Sequence, residues 1–197
     1  MYENILFPYD GSEGASAILH HASEIAHYHD ATIRLLYVAD TTRDSVTRIG
    51  DETVDVFVDR GQEILEEAGE ILRTLATPHG TDVVQGRPAE TIATYADRYG
   101  YDLIVQPTHG RTGVSRLFLG SVSEKVLGLS AVPVLTARMH PEETLTFPYE
   151  RILLPTDGSD ASLRAAEHGL ELAESLGAEL TVGGTAAGGA EAPTPAT

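Results

Sequence analysis

The chain has 197 residues, 42% of them apolar, which suffices for one α/β domain with material left over. Thirteen basic residues against thirty acidic ones leave a formal charge of −17, a field that opposes nucleic acid and anionic membrane as partners. The absence of cysteine excludes disulfides, thiolate catalysis and cysteine-ligated metals.

No apolar run approaches the roughly 20 residues that span a bilayer. Met1-Tyr2-Glu3-Asn4 leads into a strand without a basic leader, so no export signal is read and a cytoplasmic protein is expected. Lys125 is the sole lysine among the basic residues. A folded, acidic, nearly lysine-free chain of this kind suits a high-salt interior, where screening weakens self-repulsion.

Periodicity sets out the elements in order. Ile5 to Pro8 reads as a first strand, followed by a helix from about Ser12 with Ala15, Ile18, Leu19, Ala22, Ile25 and Ala26 on one face. Ile33 to Val38 is a second strand. A polar connection from about Asp40 to Asp55 leads to a second helix carrying the stripe Ile64, Leu65, Ala68, Ile71, Leu72 and Leu75. Asp82 to Val84 is a short third strand, and Pro88 to Tyr99 a helix with proline in its first turn. Asp102 to Val105 is a fourth strand, Val122 to Leu129 a helix and Val132 to Thr136 a fifth strand. Strands alternating with helices imply a parallel sheet with right-handed crossovers and helices on both faces.

The stretch from Thr108-His109-Gly110-Arg111 to Gly120-Ser121-Val122-Ser123 lies between the fourth strand and the next helix. Helix starts carry unpaired N–H groups and partial positive charge, and glycine lets backbone approach an anion closely, so this junction reads as a phosphate cradle. It is neither a Walker loop, which needs Gly-Lys before Ser or Thr, nor a G-x-G-x-x-G turn.

Together with Pro8-Tyr9-Asp10-Gly11-Ser12 and the turn Gly86-Arg87-Pro88-Ala89-Glu90-Thr91-Ile92, these residues resemble the universal stress protein family over Met1 to about Arg138. The family pattern is a strand ending in Pro-x-Asp-Gly-Ser, and later G-x-x-G, nine residues, then Gly-Ser or Gly-Thr. Gly110, nine residues and Gly120-Ser121 keep its second half. Pro107 stands where the family has glycine, which removes one backbone N–H from the loop. The resemblance implies an open doubly wound five-stranded parallel sheet of order 3-2-1-4-5, with the ligand at the switch point between strands one and four. It implies a site for ATP or a related adenine nucleotide at Pro8, Tyr9, Asp10, Val38, Pro107, Thr108, His109, Gly110, Arg111, Gly120, Ser121, Val122 and Ser123, with Mg²⁺ at Asp10. It also implies a homodimer through strand 132–136.

Tyr149-Glu150-Arg151-Ile152-Leu153-Leu154-Pro155-Thr156-Asp157-Gly158-Ser159 repeats the first strand and turn at an offset of 147 residues. A helix through Ala165, Ala166, Gly169, Leu170, Leu172 and Ala173 and a strand Glu179 to Val182 follow. Residues 1–140 are therefore read as a complete module, 141–148 as a linker, 149–182 as a truncated second repeat and 183–197 as a Gly/Ala-rich disordered tail.

Most candidate residues carry two readings. Asp10 either faces the nucleotide or caps the first helix, and Val38 either contacts adenine or is core. His109 either donates to phosphate or is a solvated loop residue. Arg111 and Arg116 either neutralise phosphate or pair with surface carboxylates. Of His20, His21, His27 and His29, adjacent ones point to different helix faces and only His20 and His27 are roughly aligned, so a solvated helix is expected there rather than a metal site. No G-x-S-x-G elbow or Walker lysine supports a committed catalyst. The expectation is a nucleotide-binding stress-response regulator. The alternatives are a dimerisation module whose loop Pro107 has disabled, and a weak ATPase.

Overall fold

A computed structural model of the chain describes residues 1–40, 56–108, 119–138 and 145–184. The chain divides into two compact units, Tyr2–Phe147 and, with Met1, the residues from Pro148 onward. The first unit runs β1 (Asn4–Pro8), α1 (Glu13–His29), β2 (Thr32–Asp40), α2 (Val56–Thr74), β3 (His79–Gly86), α3 (Pro88–Arg98), β4 (Leu103–Pro107), α4 (Ser121–Leu129) and β5 (Val134–Ala137).

Its five strands are parallel and ordered β3-β2-β1-β4-β5, the doubly wound arrangement that the resemblance implies. β1 is central. Ile5, Leu6 and Phe7 are fully buried because helices cover both faces of the sheet, which makes the strand apolar at every position rather than alternately. Leu6 joins Leu36 and Ile104 beneath Ala89, Ile92 and Ala96 of α3 and Val126 of α4. On the opposite face lie α1 and α2, with Ile18, Leu19, Leu65 and Leu72 removed from water. Each such side chain contributes about 1.5–3 kcal/mol through burial.

Local chemistry starts and stops these helices. Ser12 caps α1, its hydroxyl accepting from the Ala15 amide at 3.2 Å, and Asp30 ends the helix in the left-handed region at φ 54. The helical stripe expected for α1 is buried throughout. Pro88 opens α3, where its missing N–H costs nothing.

The second unit is β6 (Arg151–Thr156), α5 (Asp160–Leu176) and β7 (Glu179–Gly184), with β6 and β7 parallel. Ile152 pairs with Leu180 as Ile5 pairs with Ile33, so the 147-residue repeat holds in register as well as in sequence.

Three boundaries move from their expected places. β3 has eight residues rather than three, because the ladder to β2 runs unbroken from Ile33↔His79 to Asp40↔Gly86 and carries weak strand formers with it. β5 begins at Val134 rather than Val132, the two preceding residues being fixed by Ser130, whose side chain bonds both the carbonyl and the amide of Val132. Gly183 and Gly184, expected to begin the tail, extend β7 opposite Pro155 and Thr156. The connection 41–55 and the remaining tail 185–197 lie outside the described residues.

Candidate functional site at the ends of β1 and β4

Asp10 follows the last residue pair of the central strand. The segment Tyr9-Asp10-Gly11-Ser12 turns the chain sharply into α1, with the Asp10 carboxylate accepting from the Ser12 amide at 3.0 Å. Gly11 sits at φ 75, and a Cβ there would lie 3.2 Å from Ile64 of α2, so both the backbone and the packing favour glycine. Tyr9 is buried, with its amide on the Leu36 carbonyl at 2.9 Å and its hydroxyl 2.7 Å from that of Ser16. Pro8 and Val38 are half-buried at the same end of the sheet, Pro8 in register with Leu36.

β4 ends beside β1 at Pro107-Thr108, and here the chain is strapped to α4. The Thr108 amide donates to the Ala137 carbonyl at 3.0 Å. The Gly120 amide donates to the Thr108 carbonyl at 2.7 Å, which closes the loop between them at its base. The Ser123 hydroxyl donates to the Pro107 carbonyl at 2.8 Å, and the buried Gln106 amide nitrogen donates to the Ser123 carbonyl at 3.2 Å. Pro107 itself sits in the ladder opposite Ala137. Gln106 had not been singled out in the sequence, although a glutamine inside Leu103-Ile104-Val105-Gln106 is the one polar residue of that run.

These bonds leave a specific set of donors. Gly120 is the N-cap of α4 at φ −63, ψ 149, and among the described residues no side chain caps the helix. The Gly120 amide is itself taken by Thr108. Among the described residues, the amides of Ser121, Val122 and Ser123 have no acceptor; the first bond of the helix is Glu124 N–H to the Gly120 carbonyl at 2.9 Å. Ser121 and Val122 are exposed and Ser123 is buried, and the positive end of the helix dipole lies at these three amides.

Of the predicted site residues, the structure brings Pro8, Tyr9, Asp10, Val38, Pro107, Thr108, Gly120, Ser121, Val122 and Ser123 to the carboxyl-terminal rim of the sheet. His109, Gly110 and Arg111 lie outside the described residues, as does Arg116. Among the described residues no group of three His, Cys, Asp or Glu side chains is placed to hold a metal.

The second unit repeats the first turn. Asp157 accepts from the Ser159 amide at 2.9 Å, and bonds from the Ser159 hydroxyl and amide lower its pKa to about 2. Ser159 caps α5 through the Ser162 amide. No counterpart of β4 or α4 follows it among the described residues.

Residues 1–138 and 148–187 match the universal stress protein family. The chain belongs to this family. Universal stress protein MJ0531 of Methanocaldococcus jannaschii is 31% identical over 146 residues, covering 73% of this chain and 86% of that protein. Among solved structures, the hypothetical protein MJ0577, described as a test case for structure-based assignment of biochemical function, superimposes with a TM-score of 0.64 at 29% identity over 72% of this chain and 99% of its own. The universal stress protein from Archaeoglobus fulgidus in complex with dAMP superimposes at 0.53 over 68% of this chain and 97% of its own; at 22% identity it shows the shared fold. No helix of the described residues is long and apolar enough to cross a membrane.

Proposed function

We propose that this universal stress protein binds an adenine nucleotide at the β1/β4 switch point, ATP being the form the site suits, and acts as a nucleotide-responsive regulator. The observation that carries the proposal is the uncapped start of α4. Three adjacent amides without acceptors among the described residues, held beside the ends of β1 and β4 by the Ser123 and Gln106 bonds, suit a phosphate chain. A fold relative whose structure is described as a complex with dAMP, and another described as a complex with cAMP, support an adenine base in the same family frame. Val38 and Pro8 offer half-buried apolar surface nearby, and Asp10 a hard oxygen ligand through which Mg²⁺ would enter with ATP. His109, Gly110 and Arg111 complete the phosphate side in this reading, and strand β5 provides the edge for a homodimer.

A bound nucleotide regulates if it favours one of two states of the protein, and needs no turnover to do so. Calorimetry with ATP, with and without Mg²⁺, in molar KCl tests binding, and a phosphate-release assay tests turnover. Heat of binding without phosphate release supports this reading. Release that disappears in Asp10→Ala assigns an ATPase, and the absence of any heat assigns a module that works through its surfaces alone.

A further inference from the structure

Among the described residues, β3 ends the sheet on the side away from β5 and pairs only with β2. Natural edge strands are commonly short or guarded by lysine, proline or a bulge. β3 has none of these defences: it is eight residues long, holds continuous register and leaves every residue at least partly accessible. The Pro78 carbonyl accepts from the Ile33 amide, so the alternation of a parallel ladder turns the backbone groups of Gly80, Asp82 and Val84 toward β2 and those of His79, Thr81 and Val83 outward. Beside this row an open groove of about 600 Å³ runs along α2, lined by Val58, Leu65, Arg73, His79 and Val83 among others.

We propose that β3 is a self-recognition edge, on which two copies of this chain pair antiparallel about a twofold axis at Thr81. Charge selects both the occupant and the register. On the α3 face, Arg34 lies over Gly80 so closely that a Cβ there would sit 2.6 Å from its Nη1. The same Nη1 is 3.4 Å from Asp82, which also accepts from the Tyr95 hydroxyl. Pairing centred on Thr81 sets Gly80 of each copy opposite the partner's Asp82, so each guanidinium lies between two carboxylates and each carboxylate meets two guanidinium groups. Thr81 then faces Thr81, and His79 faces Val83. Shifting the centre to Asp82 sets the two carboxylates against each other, and shifting it to Gly80 removes the cross-pair; like charges directly opposite destabilise a ladder and opposite ones support it. A peptide of unrelated sequence could use the outward backbone but would not supply this reciprocal pair.

The absence of cysteine provides a direct test. Residues directly opposite in a hydrogen-bonded antiparallel pair have Cα atoms ~5.5 Å apart, within disulfide reach. Full-length Thr81→Cys, treated with diamide in molar KCl, is expected to form a disulfide-linked dimer. Val83→Cys, which would face His79, is expected to stay unlinked. Pairing at β5 keeps the two Thr81 positions at opposite ends of the joined sheets and gives no such product. Sedimentation then asks whether Thr81→Pro, which removes only an outward amide, weakens self-association by at least about tenfold with its circular dichroism unchanged. Equal linking of the two cysteine variants, no linking of either, or unaltered sedimentation of a folded Thr81→Pro variant would overturn the proposal.

Discussion

Leu6 and Leu153 occupy the same position of the two repeats, in strands of matching register, yet Leu6 is 0% exposed and Leu153 69%. The turns that follow are also alike: Ser12 and Ser159 both cap their helices from extended backbone, at φ −75 and −72. What differs is the rest of the module. Leu6 lies beneath α3, β4 and α4, whereas the second unit has only β6, α5 and β7 among the described residues. Local sequence therefore sets the element, its cap and its register, while burial depends on elements far along the chain. The same division governs the site, since the turn at Asp10 recurs at Asp157 but the strapped start of α4 has no counterpart in the second unit among the described residues.

The largest effect that could break this comparison is on the two leucines. Leu6→Ala removes a fully buried side chain and should cost about 2–5 kcal/mol of unfolding free energy, while Leu153→Ala should stay within about 0.5 kcal/mol. Urea titration of both variants reads the difference, and equal losses would show that the second unit is as thoroughly covered as the first.

Glycines give a second contrast. At Gly61 of α2 a Cβ would meet the Tyr37 ring at 2.6 Å and Val83 at 3.0 Å, so Gly61→Ala should cost about 1–3 kcal/mol through overpacking. At Gly169 of α5 the neighbour is the end of Leu154 at 3.3 Å, which has room to give. There Gly169→Ala should be neutral or gain up to about 1 kcal/mol from helix propensity. Opposite-sign shifts in thermal midpoints are the expected outcome. The caps, being local, should instead behave alike: Ser12→Ala and Ser159→Ala should each cost about 1 kcal/mol of their own unit's stability, measured by amide exchange in α1 and α5.

The units should also separate along the pH axis. Burial lowers the pKa of His21 and of His29, with Glu24 partly restoring that of His21. The unfolded chain then binds more protons than the folded one as pH falls through about 6.5, so the first unit loses stability on acidification and keeps it above that value. His21→Gln should flatten the dependence of its unfolding free energy over that interval. The depressed carboxyl of Asp157 acts in the same direction but lower on the scale. Its contribution is complete above the unfolded value near 4 and is lost as pH falls toward about 2. An unchanged profile in His21→Gln would remove histidine burial as its cause.

Much of the fold was legible because strands buried on both faces are continuous apolar runs. Ile5-Leu6-Phe7 and Leu103-Ile104-Val105 stand out for that reason, as does the 3.6-residue stripe of α1. β3 was mostly hidden: His79, Gly80, Asp82 and Gly86 are weak strand formers, and the ladder to β2 alone makes them a strand. At the site, the turn chemistry of Asp10-Gly11-Ser12 and the place of Gly120-Ser121 at a helix start could be read from spacing. The pairing of the Gly120 amide with Thr108 could not, and among the described residues it leaves the amides of Ser121, Val122 and Ser123 as the donors without an acceptor. Nor could the Gln106 and Ser123 bonds that hold α4 in place, since they join residues 16 or 17 positions apart across a loop.

Gly120→Asp tests the phosphate cradle most directly. An aspartate is compatible with the observed φ −63, ψ 149 and supplies the missing N-cap, so α4 should be unchanged or slightly more stable. Its carboxylate would occupy the same amides that are assigned to phosphate and would repel an anion. Calorimetry should then show ATP binding by the natural chain and at least about a hundredfold loss in Gly120→Asp, equivalent to ~2.7 kcal/mol, with the thermal midpoint maintained. Equal affinity in the two proteins would contradict the account, because the start of α4 would then not be where the phosphates bind.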